Sequence, residues 1–287
     1  MLTRRMVSEQ APRSVRLRVV AVDLDGTLLR SDGLISARTR NALAHAEARG
    51  LTIMPITARP PRRVRLVAQA TGLTGVAICS NGGLVYDLRT ERVVRQTRLS
   101  PALTAELVAR LREALPGVRF LIEAGLQYGC EPHFDIPAEH PRDRDDPHMR
   151  RDDALALCAE GVTKLIVQHG SCSLDALLAT TRTHAGALAS VTHSGSAFVE
   201  VAAASVTKAL ALEQFCIEHA IERAQVIAFG DMPNDLPMIE WAGRGVAVAN
   251  AHPEVLAAAD EITTSNDDDG VARVLERLAT RDYVVDA

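Results

Sequence analysis

The chain has 287 residues, 47% of them hydrophobic, and its 32 Lys and Arg against 36 Asp and Glu leave a formal charge of -4; this composition can bury a sizeable core and suits one large domain or two ordinary ones. No stretch approaches the roughly 20 apolar residues of a membrane span. The nearly balanced charge and the one Trp, three Tyr and five Phe offer neither the field nor the stacking surface for a nucleic-acid partner.

Residues 1–15 are Arg-rich but lack the apolar run of about 7–15 residues that a secretory signal needs, so they read as a disordered tail. From Leu17 the run LRVVAVDL is almost continuously apolar and β-branched, as in a strand covered on both faces, and it stops at an Asp-x-Asp-Gly-Thr turn. Ser36 then caps an expected helix that Gly50 ends. The strand LTIMPIT follows, then a helix opened by prolines and closed near Gly72, then the strand VAIC ending on Ser-Asn-Gly-Gly. This β-α-β-α-β rhythm predicts an α/β fold, a doubly wound, Rossmann-like parallel sheet.

After about Asp87 the rhythm changes. The strand VVRQTRL, the helix PALTAELVARLREAL and two short strands around Gly125 imply antiparallel pairing, residues 131–153 read as a long surface loop, and the segments to Ala203 alternate strand, helix, strand, strand. The doubly wound rhythm resumes with the helix around Lys208, the strand QVIAFGD, a short helix after Pro233, the strand GVAVANA and a last helix VARVLERLAT. The expected organisation is a core of residues 16–86 and 201–287 interrupted by an α+β cap of residues 87–200. The five cysteines are scattered with no C-x-x-C pair, which fits reduced thiols and a cytoplasmic protein.

Asp23 and Asp25 carry the sharpest chemical signal. They stand at the carboxyl end of a buried strand, where open α/β sheets bind ligands. Two carboxylates this close repel unless a cation relieves them, and oxygen ligands suit a hard ion such as Mg²⁺. A calcium-binding EF-hand loop is excluded by the spacing, because Gly26 comes fourth and position 12 is Leu34. Other strand ends carry Thr57, Asn81, and the group Asp231, Asn234 and Asp235. If Pro233 opens a helical turn, the last three share one face. Lys208 is the cation of the set, and the Ala58-Arg59 pair follows Thr57 directly.

DLDGTLL (Asp23 to Leu29), ITAR (Ile56 to Arg59), the lysine of SVTKALAL and GDMPNDLPM (Gly230 to Met238) resemble the four ordered motifs of the haloacid dehalogenase superfamily. The SNGG turn, GVAVANAHPEV and TTSNDDDGVA are similar to the Cof-type hydrolases, whose α/β cap is inserted between the second and third motifs. This resemblance implies a Mg²⁺-dependent phosphatase acting on a small phosphorylated metabolite, such as a sugar phosphate, as a monomer or homodimer. Asp23 would attack phosphorus and Asp25 would serve as acid and then base. Asp23, Asp231 and the main-chain carbonyl of Asp25 would hold the metal, and Thr57, Lys208 and Asn234 would grip the phosphoryl group. Asp235, Arg59 and Asn81 would support the site. A phosphomutase and a non-catalytic phosphometabolite sensor are the alternatives. The family usually has glycine where Ala58 and Ala209 stand, and a positive φ at either position would cost alanine about 1 kcal/mol.

Overall fold

The computed structural model describes residues 14–136, 146–194 and 197–286. Its central strand, Val19–Val22, is four buried apolar residues. It pairs in parallel with Thr52–Pro55 on one side and Val226–Gly230 on the other. Arg244–Ala247 and Glu261–Ile262 extend the sheet to five parallel strands.

Alternation along the central strand sorts its side chains into two layers. Val20 and Val22 pack with the helices Ala37–Ala48, Pro61–Thr71 and Gly270–Ala279. Val19 and Ala21 pack with Lys208–Glu218, Leu236–Trp241 and Pro253–Ala258. Each valine so buried contributes roughly 1.5–3 kcal/mol, and a one-residue slip would exchange the two layers, so the strand is held in one register. The helix boundaries follow local chemistry. The Ser36 side chain accepts from Thr39 N, and Gly72 closes its helix in the left-handed region.

The third expected strand, Val76–Cys79, meets the parallel sheet through one bridge, Ile56 with Ile78. It then pairs antiparallel with Leu84–Asp87, which pairs with Arg92–Gln96. The Asp87 carboxylate accepts from Arg89 N and Thr90 N and so closes this hairpin. Pairing therefore carries the core beyond the expected boundary at residue 86. At the other junction, Val199–Ala203 forms one continuous cap strand across the expected boundary at residue 200. We propose junctions near residues 97–98 and 204–206.

The cap is a six-stranded sheet in the order Ala189–Thr192, Val199–Ala203, Lys164–Gln168, Arg119–Ala124, Gln127–Cys130 and Arg150–Arg151. Its pairs are antiparallel except the last. One face buries Phe120, Ile122, Leu165, Val167, Val199 and Val201 under the helices Pro101–Ala114 and Leu174–Ala185. The opposite face carries Leu121, Glu123, Lys164, Ile166 and Glu200 toward the core.

Two expectations need correction. Ser14 and Val15, read as tail, lie in the strand Ser14–Arg16, which pairs antiparallel with Val284–Asp286; residues 1–13 lie outside the described residues. The segment 131–153, read as a surface loop, buries Phe134, Ile136 and Met149 in a small apolar cluster with Leu121 and Ile166. Its polar composition masked three apolar residues too widely spaced to show a period, and residues 137–145 lie outside the described residues.

The turn after Val76–Cys79 shapes the rim at the strand ends. Gly82 has φ +105, and a Cβ there would come 2.3 Å from the carbonyl oxygen of Thr207, whose side chain caps the helix that begins at Lys208. Gly82→Ala is therefore expected to destabilise the fold by more than about 1 kcal/mol, read as a lower urea midpoint at unchanged slope. An unchanged midpoint would show that this turn and the lysine helix are not in tight contact.

Candidate active site

Five chain segments bring their predicted residues to one rim. Asp23 follows the central strand, with its N–H donated to Phe229 O at 3.0 Å, and Asp231 follows the neighbouring strand Val226–Gly230. Thr57 donates its N–H to Ile78 O at 2.9 Å, and Asn81 donates its own to Thr57 O at 3.0 Å. Asn81 adopts the left-handed region, φ 57 and ψ 26, which asparagine tolerates better than most residues. Lys208 opens its helix and projects into the same space, 1% exposed.

The geometry at the rim is a buried charge cluster. Lys208 Nζ donates to Asp23 Oδ1 and to Asp235 Oδ1, both at 2.6 Å. Asp235 Oδ2 accepts from the N–H groups of Asp231 and Met232 at 3.1 and 3.0 Å. The helix begins only at Leu236, so the segment 231–235 is a turn held by the Asp235 carboxylate, and the helical face expected from Pro233 onward does not form there. Thr27 Oγ1 donates to Asp231 Oδ1 at 2.7 Å. Asp25 is different: its side chain is 55% exposed and receives a two-pronged contact from Arg59, Nε at 2.6 Å and Nη2 at 2.5 Å. Arg59 thus touches Asp25, as a supporting residue would.

Burial, reinforced by the neighbouring carboxylates, raises Asp23 well above the usual carboxylate range. Burial and then Asp235 push Asp231 up to about 6. Burial alone would lower Lys208, but the carboxylates of Asp23 and Asp235 outweigh it and hold the ammonium above its ordinary value. Three buried acids therefore share one buried lysine, and the cluster lacks positive charge.

That deficit fits a divalent cation. Carboxylate oxygens of Asp23, Asp231 and Asp235 lie within 4.8 Å of one another. Both Asp235 oxygens already accept hydrogen bonds, so Asp23 and Asp231 are the acids of this group that could hold such an ion. Gly26 keeps the approach open, because a Cβ there would come 2.3 Å from Asp231 Oδ2. These are hard oxygen donors of the kind that suit Mg²⁺.

The structure adds residues on the cap side of the rim. A cavity of about 420 Å³ joins the rim to the cap, and its cap wall includes Glu123, Lys164 and Glu200, each no more than 3% exposed. Lys164 Nζ donates to Glu200 Oε1 and to Ala58 O, both at 2.7 Å. Ser80 Oγ donates to Glu123 Oε2 at 3.2 Å, and Arg62 lies 3.2 Å from Glu123 Oε1. Glu200, on the strand Val199–Ala203, faces this cavity. Leu121, Phe134, Ile166 and Phe198 form the apolar part of the wall. Ala58 and Ala209 are not among the residues with positive φ, so alanine carries no backbone penalty at either place.

A family model described as haloacid dehalogenase-like hydrolase matches residues 20–275. The chain is similar to the protein YxeH of Bacillus subtilis (strain 168), 30% identical over 268 residues that cover 91% of this chain and 98% of that one. It is also similar to the 5-amino-6-(5-phospho-D-ribitylamino)uracil phosphatase YcsE of the same organism, 26% identical with 91% and 95% covered. A solved haloacid dehalogenase-like hydrolase from Bacteroides thetaiotaomicron superposes with a TM-score of 0.75 at 27% identity, covering 92% of this chain and 100% of that one.

Asp231→Asn removes one of the buried charges that lack a counter-charge. Without metal at pH 7 it is expected to raise Tm, by about 2–4 °C per kcal/mol relieved, and to abolish the Tm increase on adding Mg²⁺. The folded state holds the Asp231 proton above its ordinary value of 3.8, up to about 6. The associated stability is therefore present below the ordinary value and lost as pH rises through about 6. Metal-free wild type should accordingly melt higher at pH 4 than at pH 7, and the variant should lose less over that range. Matching melting curves for the two proteins would remove the charge deficit from this account.

Proposed function

We propose that this chain, which belongs to the haloacid dehalogenase-like hydrolases and is a phosphomonoester hydrolase, releases phosphate from a small phosphorylated metabolite through an aspartyl-phosphate on Asp23. The observation that carries this reading is the buried Lys208 bridging Asp23 and Asp235 at the tip of the central strand. It aims an acid with a fixed orientation into a cavity large enough for a small ester.

In the first step a bond forms between an Asp23 carboxylate oxygen and phosphorus while the bond from phosphorus to the departing oxygen breaks. Asp25, exposed to the cavity two residues along, gives its proton to that oxygen. In the second step it takes a proton from the water that attacks phosphorus and frees Asp23. Asp23, Asp231 and the carbonyl of Asp25 would hold Mg²⁺, which when bound supplies the charge that lets a carboxylate approach a phosphate dianion. Thr57 has its hydroxyl at the rim, accepting from Arg59 N at 3.1 Å, and so can donate to a phosphoryl oxygen. Lys208 keeps one of its three N–H donors for the same purpose, and Asn234 is the third member of this grip.

The substrate reading rests on the cavity. Its cap wall combines Glu123, Lys164 and Glu200 with an apolar strip, which suits a leaving group bearing hydroxyls, as in a sugar or sugar-alcohol phosphate. YcsE, a relative of comparable length, is named for a ribityl phosphate, which supports the same class. The acting unit in this reading is a monomer or a homodimer. The five free cysteines, four of them buried, accord with a cytoplasmic location.

Purified protein is expected to release inorganic phosphate from members of a phosphometabolite panel with Mg²⁺ and to stop when EDTA is added. Asp23→Asn should reduce turnover to background. Lys208→Ala should lower kcat by about 10²–10³, the usual loss for one donor to a developing charge. If wild-type protein with Mg²⁺ released no phosphate from any member, the proposal would fail.

A further inference from the structure

Three side chains connect the cap to the rim. Glu200, on the cap strand Val199–Ala203, accepts from Asn81 Nδ2 at 2.9 Å through Oε2 and from Lys164 Nζ at 2.7 Å through Oε1. Asn81 Oδ1 in turn accepts from Asn234 Nδ2 at 3.1 Å. Beyond that last bond, Asn234 Oδ1 is buried and has no partner among the described residues, and Asn234 lines the same cavity as Asp23, Asp25 and Lys208.

The polarity of this chain follows from charge. The two ends of an amide are nearly equal in size, so packing alone does not decide which one points where. A carboxylate only accepts, so Glu200 requires the NH₂ end of Asn81. The Asn81 oxygen then faces Asn234 and requires its NH₂ end. The Asn234 carbonyl oxygen is left on the side away from Asn81, buried and with no partner among the described residues. The Asn81 backbone is tethered by its N–H to Thr57 O at 3.0 Å, so the freedom that remains in the chain is which way each amide faces.

We propose that Glu200 is a positioning residue. Acting through Asn81, it holds Asn234 with its carbonyl oxygen turned into the reaction cavity, as the acceptor for an O–H group during turnover. The donor is a hydroxyl of the leaving group or a water molecule. An unprotonated phosphoryl oxygen cannot fill that place, and it takes the second N–H of Asn234 instead. This inference rests on the phosphatase reading and adds to it a cap residue that sets the hydrogen-bond sense of a rim residue.

Glu200→Gln tests the relay with little change of shape. Lys164 keeps the oxygen of the new side chain facing itself, so the new NH₂ group turns to Asn81. Asn81 reverses, Asn234 reverses, and a donor faces the cavity. Asn81→Asp alone sets two carboxylates against each other. When both substitutions are combined, the amide now at position 200 donates to the carboxylate now at position 81, and that carboxylate accepts from Asn234. The Asn234 carbonyl oxygen again faces the cavity, and the total charge equals that of wild type. Each single change is expected to lower kcat/KM about tenfold or more, and the double variant should recover to within about threefold of wild type. A purely structural role would make the two losses add.

The assay uses propyl phosphate and glycerol 1-phosphate with Mg²⁺. A loss confined to the glycerol ester identifies a substrate hydroxyl as the donor, and an equal loss on both identifies water. The relay is overturned if the double variant is no better than the singles, or if Glu200→Gln behaves as wild type on both esters. Wild-type protein inert toward both esters and the whole phosphometabolite panel strikes the phosphatase reading instead. An active wild type without rescue strikes the relay alone.

Discussion

A single ammonium group between two buried carboxylates governs this rim. Lys208 is 1% exposed, and a buried lysine without partners would shed its proton. Asp23 and Asp235 prevent that, each at 2.6 Å. Asp235 can serve because its other oxygen is already anchored by two main-chain N–H groups, so the lysine is fixed against a rigid turn. The position of Asp23 then follows from the central strand on one side and the lysine on the other. The same contact depends on the turn at Gly82, which lets the lysine helix start close beneath the third strand.

The cap is fitted to this rim through its own buried charges. Its sheet has an apolar face under two helices and a mixed face over the core, where Glu123 and Lys164 stand opposite each other in register. Charges on a covered sheet face cost stability unless paired, and here their partners come from both domains: Ser80, Arg62 and the carbonyl of Ala58 from the core, Glu200 from the cap. Ala58 directly follows Thr57, so the cap touches the segment proposed to grip the phosphoryl group. Closure of the cavity and the order of that segment are in this way linked by hydrogen bonds.

Most of the rim was legible in the sequence because its parts are local. A strand that ends on a polar residue announces itself in a few letters, and in a doubly wound sheet such ends gather on one edge. What escaped notice depends on tertiary contact. Charged residues on otherwise apolar strands, as Glu123 and Lys164 are, do not differ in sequence from water-facing ones unless one knows that a second domain covers that face. Ser14–Arg16 finds its partner at Val284–Asp286, a pairing that no local pattern encodes. Asp235 was expected on a helical face, whereas its carboxylate holds the turn that precedes the helix. Sequence spacing could not distinguish these arrangements, because both use the same interval of four residues.

Asp23 and Asp25 stand two residues apart and receive opposite treatment. Asp25 is exposed and met by Arg59, whereas Asp23 is buried and its carboxyl is held above the usual carboxylate range by that burial, which opposes the ionised form that the proposed attack on phosphorus needs. Lys208 alone does not correct this, since it also serves Asp235. A divalent cation held by Asp23 and Asp231 would supply the missing charge. The uncompensated acid that weakens the metal-free rim is thus the feature that makes it a site. In the proposed mechanism such a cation would favour the ionised form of Asp23, and the positive charge at the rim would favour a phosphate dianion over a neutral ester.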